Sequence, residues 1–307
     1  MSDEIFDDEI PEALAGERLD RVVSLLAGVS RAEATLLIES GGVALDGETR
    51  SSGKIRLAAG QRLVVDTSLL PPIPLPGPDE SVPVRVVHHD EHLLVIDKEP
   101  GIVVHPGAGN SDGTLVNGLL ARYPEISTVG DPARPGIVHR LDAGTSGLLV
   151  VARTQLAYEA LVDLLSRHEV ERRYVALVWG TPDSPIGTID APIGRDPRDP
   201  LRMAVVASGK EARTHYRVVR RFEQPGVSLL ECELETGRTH QIRVHLSAIG
   251  HPVVGDNAYG GYRTSLVPGR PFLHAAGLRF RHPVTGADVS AESELPVDLA
   301  AILERCA

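Results

Sequence analysis

The sequence predicts an α+β protein: a large domain built on a mixed, largely antiparallel sheet, preceded by a small α/β unit. Three observations lead there. Helical apolar spacing appears early in the chain, whereas short β-rich runs dominate from Arg173 onward. Strands and helices neither alternate regularly nor repeat at a fixed period, as a doubly wound parallel sheet requires. Five prolines between residues 71 and 78 form a stretch that no helix or ladder tolerates, and they divide the chain. At 307 residues there is room for one well-buried domain and a small accessory one.

The elements follow in order. Residues 1 to 17 hold seven acids and no Lys or Arg, so residues 1–15 are expected to be an acidic flexible tail kept loose by its own repulsion. In "RLDRVVSLL" Leu19, Val22, Val23 and Leu26 recur at helical spacing. Ser30 and Glu33 form a capping box that opens "RAEATLLIES", which Gly41 closes. "GVALDGETR" is a hairpin with an Asp-Gly turn and "GQRLVVD" a further strand, completing a unit over 16–67. Residues 68–83 read as a linker and 84–307 as the large domain. There "VRVVHHD", "HLLVIDK" and "GIVVHPG" read as strands and "TLVNGLLARY" as a helix. "GIVHR" and "GLLVVAR" read as strands on either side of a turn that carries Asp142, and Thr154 caps "QLAYEALVDLLSRH". Five β-rich runs follow, "RYVALVWG", "GTIDAPI", "RMAVV", "ARTHYRVVRRF" and "VSLLECELET". A helix then opens at Thr239, with Ile242, Leu246 and Ile249 on one face, and ends at Gly250 and Pro252.

Composition excludes some classes of function. Two cysteines are too few for a disulfide framework or a thiolate metal site and suit a reducing cytoplasm. No apolar run approaches the roughly 20 residues that span a bilayer. The net charge of −11 argues at first against a nucleic-acid partner, but the acids of residues 1–17 account for much of it. The remainder has 35 acids against 31 bases, mostly Arg and clustered in "RRY", "GRDPRDPLR" and "RVVRR".

Three stretches gather polar groups that a core would not choose. His139-Arg140-Leu141-Asp142 places a carboxylate in a Gly-Thr-Ser turn, where it is either a turn-former or an exposed reactive acid. Thr236 to Arg243 sets Arg238 and Arg243 near the positive end of a helix. Tyr174 follows two arginines at the start of a strand. Other signatures fail: the HRD-like start lacks a kinase glycine loop and DFG site, and "HPGAGNSDGT" lacks the Gly-Lys-Ser/Thr of a P-loop. "HHDEH" has no second pair of ligands that would make it a metal site.

Together, "HRLDxGTSGLLVVA", "RxYxALVxG" and "LETGRTHQIRVHLxxxGxPxxGDxxYG", with the opening "DEHLLVIDKEPGIVVHPGAGN", resemble the RluA/RluD-type RNA pseudouridine synthases. The first unit resembles the S4 domain, a small RNA-binding module. The resemblance runs from about Gly16 to near the C-terminus and implies a pseudouridine synthase fold that isomerises uridines in structured RNA, either ribosomal RNA or a pre-ribosomal particle. Within the family the match is to the synthases of 23S large-subunit ribosomal RNA. The same chemistry on tRNA or at another ribosomal site, or a non-catalytic RNA-binding assembly factor, are the alternatives. The resemblance implies Asp142 as the essential catalytic residue, with Arg243 as its guanidinium partner. It makes Tyr174 the aromatic that stacks on the base and assists proton transfer, and Arg140 the side chain that fills the space left by a flipped base. In the S4-like unit, Arg18, Arg31, Lys54 and Arg56 are the candidate RNA contacts. No metal or cofactor is implied, and a cytoplasmic monomer is expected. Residues 261–272 form a shorter segment than some members carry, which puts a peripheral RNA contact in doubt.

Overall fold

The computed structural model describes residues 5–29, 31–70, 75–107, 110–199 and 202–306. It divides into two compact units, Met1–Pro74 and Leu75–Ala307.

In the first unit β1 (Ile5–Glu9), α1 (Leu19–Leu26), α2 (Arg31–Glu39), β2 (Val43–Leu45), β3 (Glu48–Thr49) and β4 (Arg62–Asp66) enclose a small core. The sheet order is β1-β4-β2-β3. Leu19, Val22, Val23, Leu37, Ile38, Leu63 and Val65 fill the centre. The Asp-Gly turn forms as expected, because Asp46 and Gly47 both take positive φ (53° and 80°), the conformation a two-residue hairpin loop demands. The Ser30 cap lies outside the described residues. The expected loose tail is corrected: Ile5–Glu9 pairs antiparallel with Arg62–Asp66. Phe6 packs on the core, and Arg62 donates to both oxygens of Asp7 at 2.8 and 2.7 Å. Ladder bonds and this fork offset the repulsion that the charge run suggested.

In the second unit the linker reading holds only in part, because Gly77 O accepts from Asn117 and the Asp79 amide donates to Asn117 O. The strands are β5 (Val86–His89), β6 (Leu93–Lys98), β7 (Ser146–Ala152), β8 (Glu171–Trp179), β9 (Ile186–Asp190), β10 (Ile193–Arg195), β11 (Met203–Val205), β12 (Arg213–Phe222), β13 (Val227–Leu234), β14 (Leu273–Arg281) and β15 (Asp288–Glu292). The helices are α3 (Leu115–Arg122), α4 (Gln155–Ser166), α5 (Gln241–Ala248) and α6 (Val297–Glu304). Nine strands form one sheet in the order β5-β6-β7-β14-β8-β13-β12-β9, with β15 on β14, while β10 and β11 pair separately. Among the described residues only β7 and β14 pair in parallel, so the expected mixed, largely antiparallel sheet is what forms.

Strand alternation sorts the core into two layers. On one face Leu94, Ile96, Leu149 and Val151 meet α3, α5 and α6 through Leu115, Leu119, Ile242, Leu246, Leu299 and Ile302. On the other, Leu93, Val95, Leu148 and Val150 meet α4 through Ala157, Leu161 and Leu164. The parallel contact of β7 and β14 is close: a Cβ on Gly147, whose φ is +109°, would lie 2.2 Å from Ala275 O. That approach seats the start of β7 at the middle of the sheet.

Two expected strands are loops. In "GIVVHPG" the Val103 and Val104 carbonyls accept from the Leu115 and Val116 amides, so this backbone is spent on the start of α3. In "GIVHR" only Ile137 bridges Val151, and the Val150 amide donates to His139 Nε2 at 3.0 Å. A side chain there replaces the ladder.

Candidate active site

Asp142 lies in the loop that leads into β7, and each neighbouring carbonyl is held. Asp142 O accepts from the Thr145 amide at 3.0 Å, Ala143 O from the Gly101 amide at 2.7 Å, and Gly144 O from Arg270 at 2.9 Å. Lys98, at the end of β6, is buried and donates to Glu99 O, Ile102 O and Ala143 O at 2.8, 2.9 and 3.3 Å. Burial pulls its ammonium down to about 8. The loop is thus fixed by backbone bonds and by a buried cation, which leaves the Asp142 carboxylate half-buried at a cleft.

Arg243, 101 residues further along, stands on α5. Its Nη1 donates to Asp142 Oδ2 at 2.9 Å. Its other edge makes a two-pronged contact with Asp256, Nε to Oδ2 at 2.6 Å and Nη2 to Oδ1 at 2.9 Å. Asp256 is fully buried and also accepts from the Ala258 and Tyr259 amides. Burial lowers the Arg243 pKa, but the two carboxylates more than offset it, so the guanidinium stays charged. A planar fork locked on one side by Asp256 aims Nη1 at Asp142, which a flexible ammonium would not do.

Tyr174 is in the body of β8, opposite Cys232 on β13 and Ala275 on β14. It is 5 % exposed, its hydroxyl makes no hydrogen bond among the described residues, and burial pushes its phenol up to about 12. Arg140 is exposed and has no partner among the described residues. Asp142, Arg140, Tyr174 and Arg243 all line one cleft of about 630 Å³, which runs on past Arg172 to Thr236 and Arg238. A second hollow of about 400 Å³, reached past His105 and Asn110, shares Asp142, Arg140 and Arg243. All four expected residues therefore converge on one site.

Other expectations change. The residue before α5 is His240, in the left-handed region at φ 57° and ψ 20°, not Thr239. Gln241 Oε1 instead gathers the Thr236 hydroxyl and the Arg238 amide at 2.7 and 2.9 Å. Arg238 lines the far part of the cleft with its Nε held on Glu211 O at 2.9 Å. In the first unit Arg18 and Arg31 both contact Asp20, at 2.6 and 3.2 Å, and Arg56 donates to Gly16 O at 2.7 Å, while Lys54 is exposed. Asp256, Tyr259, His240 and Lys98 were not singled out from sequence. The "GDxxYG" run was the available signal, since a buried arginine calls for a second acid.

Among the described residues no cluster of three or more His, Cys, Asp or Glu is arranged to hold a metal ion, and no helix is long and apolar enough to cross a membrane.

Residues 92–248 match the family model described as RNA pseudouridylate synthase, and residues 17–63 match the S4 domain. Among curated proteins, an uncharacterized RNA pseudouridine synthase of Chloroflexus aurantiacus is 49 % identical over 96 % of this chain and 92 % of its own length. The ribosomal large subunit pseudouridine synthase D of Xanthomonas campestris is 45 % identical over 96 % and 90 %. Among solved structures, human RNA pseudouridylate synthase domain containing 1 superposes with a TM-score of 0.56 at 30 % identity, covering 71 % of this chain and 85 % of that one. The chain belongs to the RNA pseudouridine synthase family and carries an S4 domain ahead of the synthase domain.

Proposed function

We propose that this enzyme converts uridines of large-subunit ribosomal RNA, free or in a pre-ribosomal particle, into pseudouridine, with Asp142 as the reacting carboxylate. The observation that carries this is the 2.9 Å bond from the locked Arg243 fork to Asp142, in a cleft of about 630 Å³ that Tyr174 also lines. The ribosomal substrate is supported by several relatives named ribosomal large subunit pseudouridine synthase D, 43 to 45 % identical over nearly the whole chain. A ribosomal substrate supports a cytoplasmic location, and we read the enzyme as a monomer there.

The reaction breaks the bond from N1 to C1′, turns the base and joins C5 to C1′; the C5 proton leaves and N1 gains one. A carboxylate suits this chemistry, because it attacks C1′ or stabilises a developing cation there, as in glycoside chemistry. Asp142 must remain charged while a base covers it, and Arg243 offsets the desolvation cost. Tyr174 stacks on the base, its phenol protonated at neutral pH and available for proton transfer. Flipping the nucleotide out of structured RNA costs a few kcal/mol. Arg140, unpartnered at the rim, occupies the gap. Lys54 and Arg56, with Arg18 and Arg31, contact phosphates.

RNA tritiated at uridine C5 should release label with the wild type, and Asp142→Asn should abolish release while RNA binding persists. Equal release from both proteins removes Asp142 from the mechanism. Mapping pseudouridines in cells that lack the protein identifies the RNA; loss confined to tRNA overturns the ribosomal assignment.

A further inference from the structure

His240 and Tyr259 form a chain that ends on Asp142. Tyr259 Oη accepts from the Met203 amide at 3.1 Å and lies 2.7 Å from His240 Nδ1. With the amide already donating to the phenol oxygen, the phenol's own proton is free for the ring, and Nδ1 accepts it. If Nδ1 carried the hydrogen instead, the buried phenol proton would have no acceptor there. The neutral imidazole therefore holds its hydrogen on Nε2. That atom lies 3.9 Å from Asp142 Oδ1, the oxygen Arg243 leaves unclaimed.

Two further observations favour a neutral, held ring. Arg243 and Arg202 stack on the Tyr259 ring, with guanidinium carbons 5.0 and 5.1 Å from its centroid, which fixes the phenol that His240 meets. Burial also pulls the His240 pKa down. His240 meanwhile adopts a left-handed backbone, uncommon for a residue with a side chain and found where the surroundings fix a position.

We propose that His240, oriented by Tyr259, is a positioning residue whose Nε2–H closes on Asp142 Oδ1 when a nucleotide is seated, so that the carboxylate is gripped at both oxygens. The 3.9 Å gap is long for a hydrogen bond, and such contacts tighten when substrate binds. The grip stops the carboxylate from rotating and exchanging its oxygens, so one oxygen is always the one presented to the nucleotide. The inference rests on Asp142 being the reacting carboxylate.

Three variants test it by single-turnover tritium release, with kcat and KM separated. Gln at 240 carries an N–H to about the place of Nε2, whereas Asn reaches only as far as Nδ1. Asn tolerates the left-handed backbone better than Gln does, so a purely conformational role ranks the variants in the opposite order. His240→Gln should keep most of kcat. His240→Asn should lose about 10- to 100-fold in kcat with KM little changed, the loss of one hydrogen bond to a charged group. Tyr259→Phe, which leaves the backbone at 240 untouched, should lose about 5- to 10-fold in kcat, part of that same hydrogen bond. Equal kcat for the Gln and Asn variants, effects in KM alone, or full kcat in Tyr259→Phe overturns the proposal. Asp142→Asn runs alongside: activity there removes Asp142 and its positioning residue together, whereas a failure confined to the 240 and 259 variants leaves Asp142 standing.

Discussion

The chain pairs Arg with Asp in two contrasting ways. In the first unit one carboxylate, Asp20, takes two arginines, Arg18 and Arg31, whose side chains are 41 % and 60 % exposed. In the cleft one arginine, Arg243, stands between two carboxylates and its side chain is 10 % exposed. The first arrangement keeps mobile cations on a wet surface, where water screens each pair. The second commits Nε, Nη1 and Nη2 of a buried fork, so removing Arg243 leaves two carboxylates without their shared counter-charge. The same two residue types thus yield exposed cations in one place and a fixed, largely buried ion-pair group in the other.

Breaking the buried arrangement should have the largest effect. Arg243→Met should cost about 3–5 kcal/mol of stability, because it strands Asp256. The surviving folded protein should lose at least about 100-fold in kcat, with RNA affinity within about threefold. Denaturant unfolding and single-turnover rates check this. Weak activity loss together with weak RNA binding would place Arg243 in docking instead.

His139 gives a pH-dependent prediction. It is half-buried, and its pKa is held near 3, first by desolvation of the ring and then by the charge of Arg172. Its folded value lies below its unfolded one, so its contribution is complete above about pH 6.5 and is lost as pH falls toward 3. Stability of the wild type should therefore fall by up to about 1.4 kcal/mol per pH unit in that window from this group. His139→Gln, which still accepts from the Val150 amide, should be less stable at pH 7 and lose that gap on acidification. Parallel stability curves across the window would show that the native state protonates His139 freely.

The exposed arrangement should respond through binding. Asp20→Asn releases Arg18 and Arg31 and should tighten RNA binding at low salt, with kcat unchanged; unaltered or weaker binding would remove those two arginines from the RNA surface. Smallest of all, Lys54→Ala and Arg56→Ala should each weaken binding a few-fold and lower the slope of log K against log salt by about 0.7–0.9. A slope identical to wild type would mean that neither touches a phosphate.

How far the site could be read in advance varies by residue. Asp142, Tyr174 and Arg243 stand out because each lies in a polar run with long, specific neighbours, and the fold brings them to one cleft. Asp256 and Tyr259 escaped, because an acid before a turn and an aromatic near glycines look like ordinary turn residues until Arg243 arrives beside them. The strand expected at "GIVHR" fails for a similar reason: apolar alternation shows that Ile137 is buried, but not that His139 would occupy the Val150 amide.

Periodicity, caps and turn residues are local, and by themselves they determined the α+β class and the largely antiparallel character of its sheet. Distance along the chain hides the rest. That Arg243 reaches across 101 residues to Asp142, that Asp256 locks it, and that β1 joins the first sheet despite its charge are decided only when the tertiary structure sets which groups lose water together. Burial turns an otherwise weak ion pair into a geometry, and burial belongs to the folded whole.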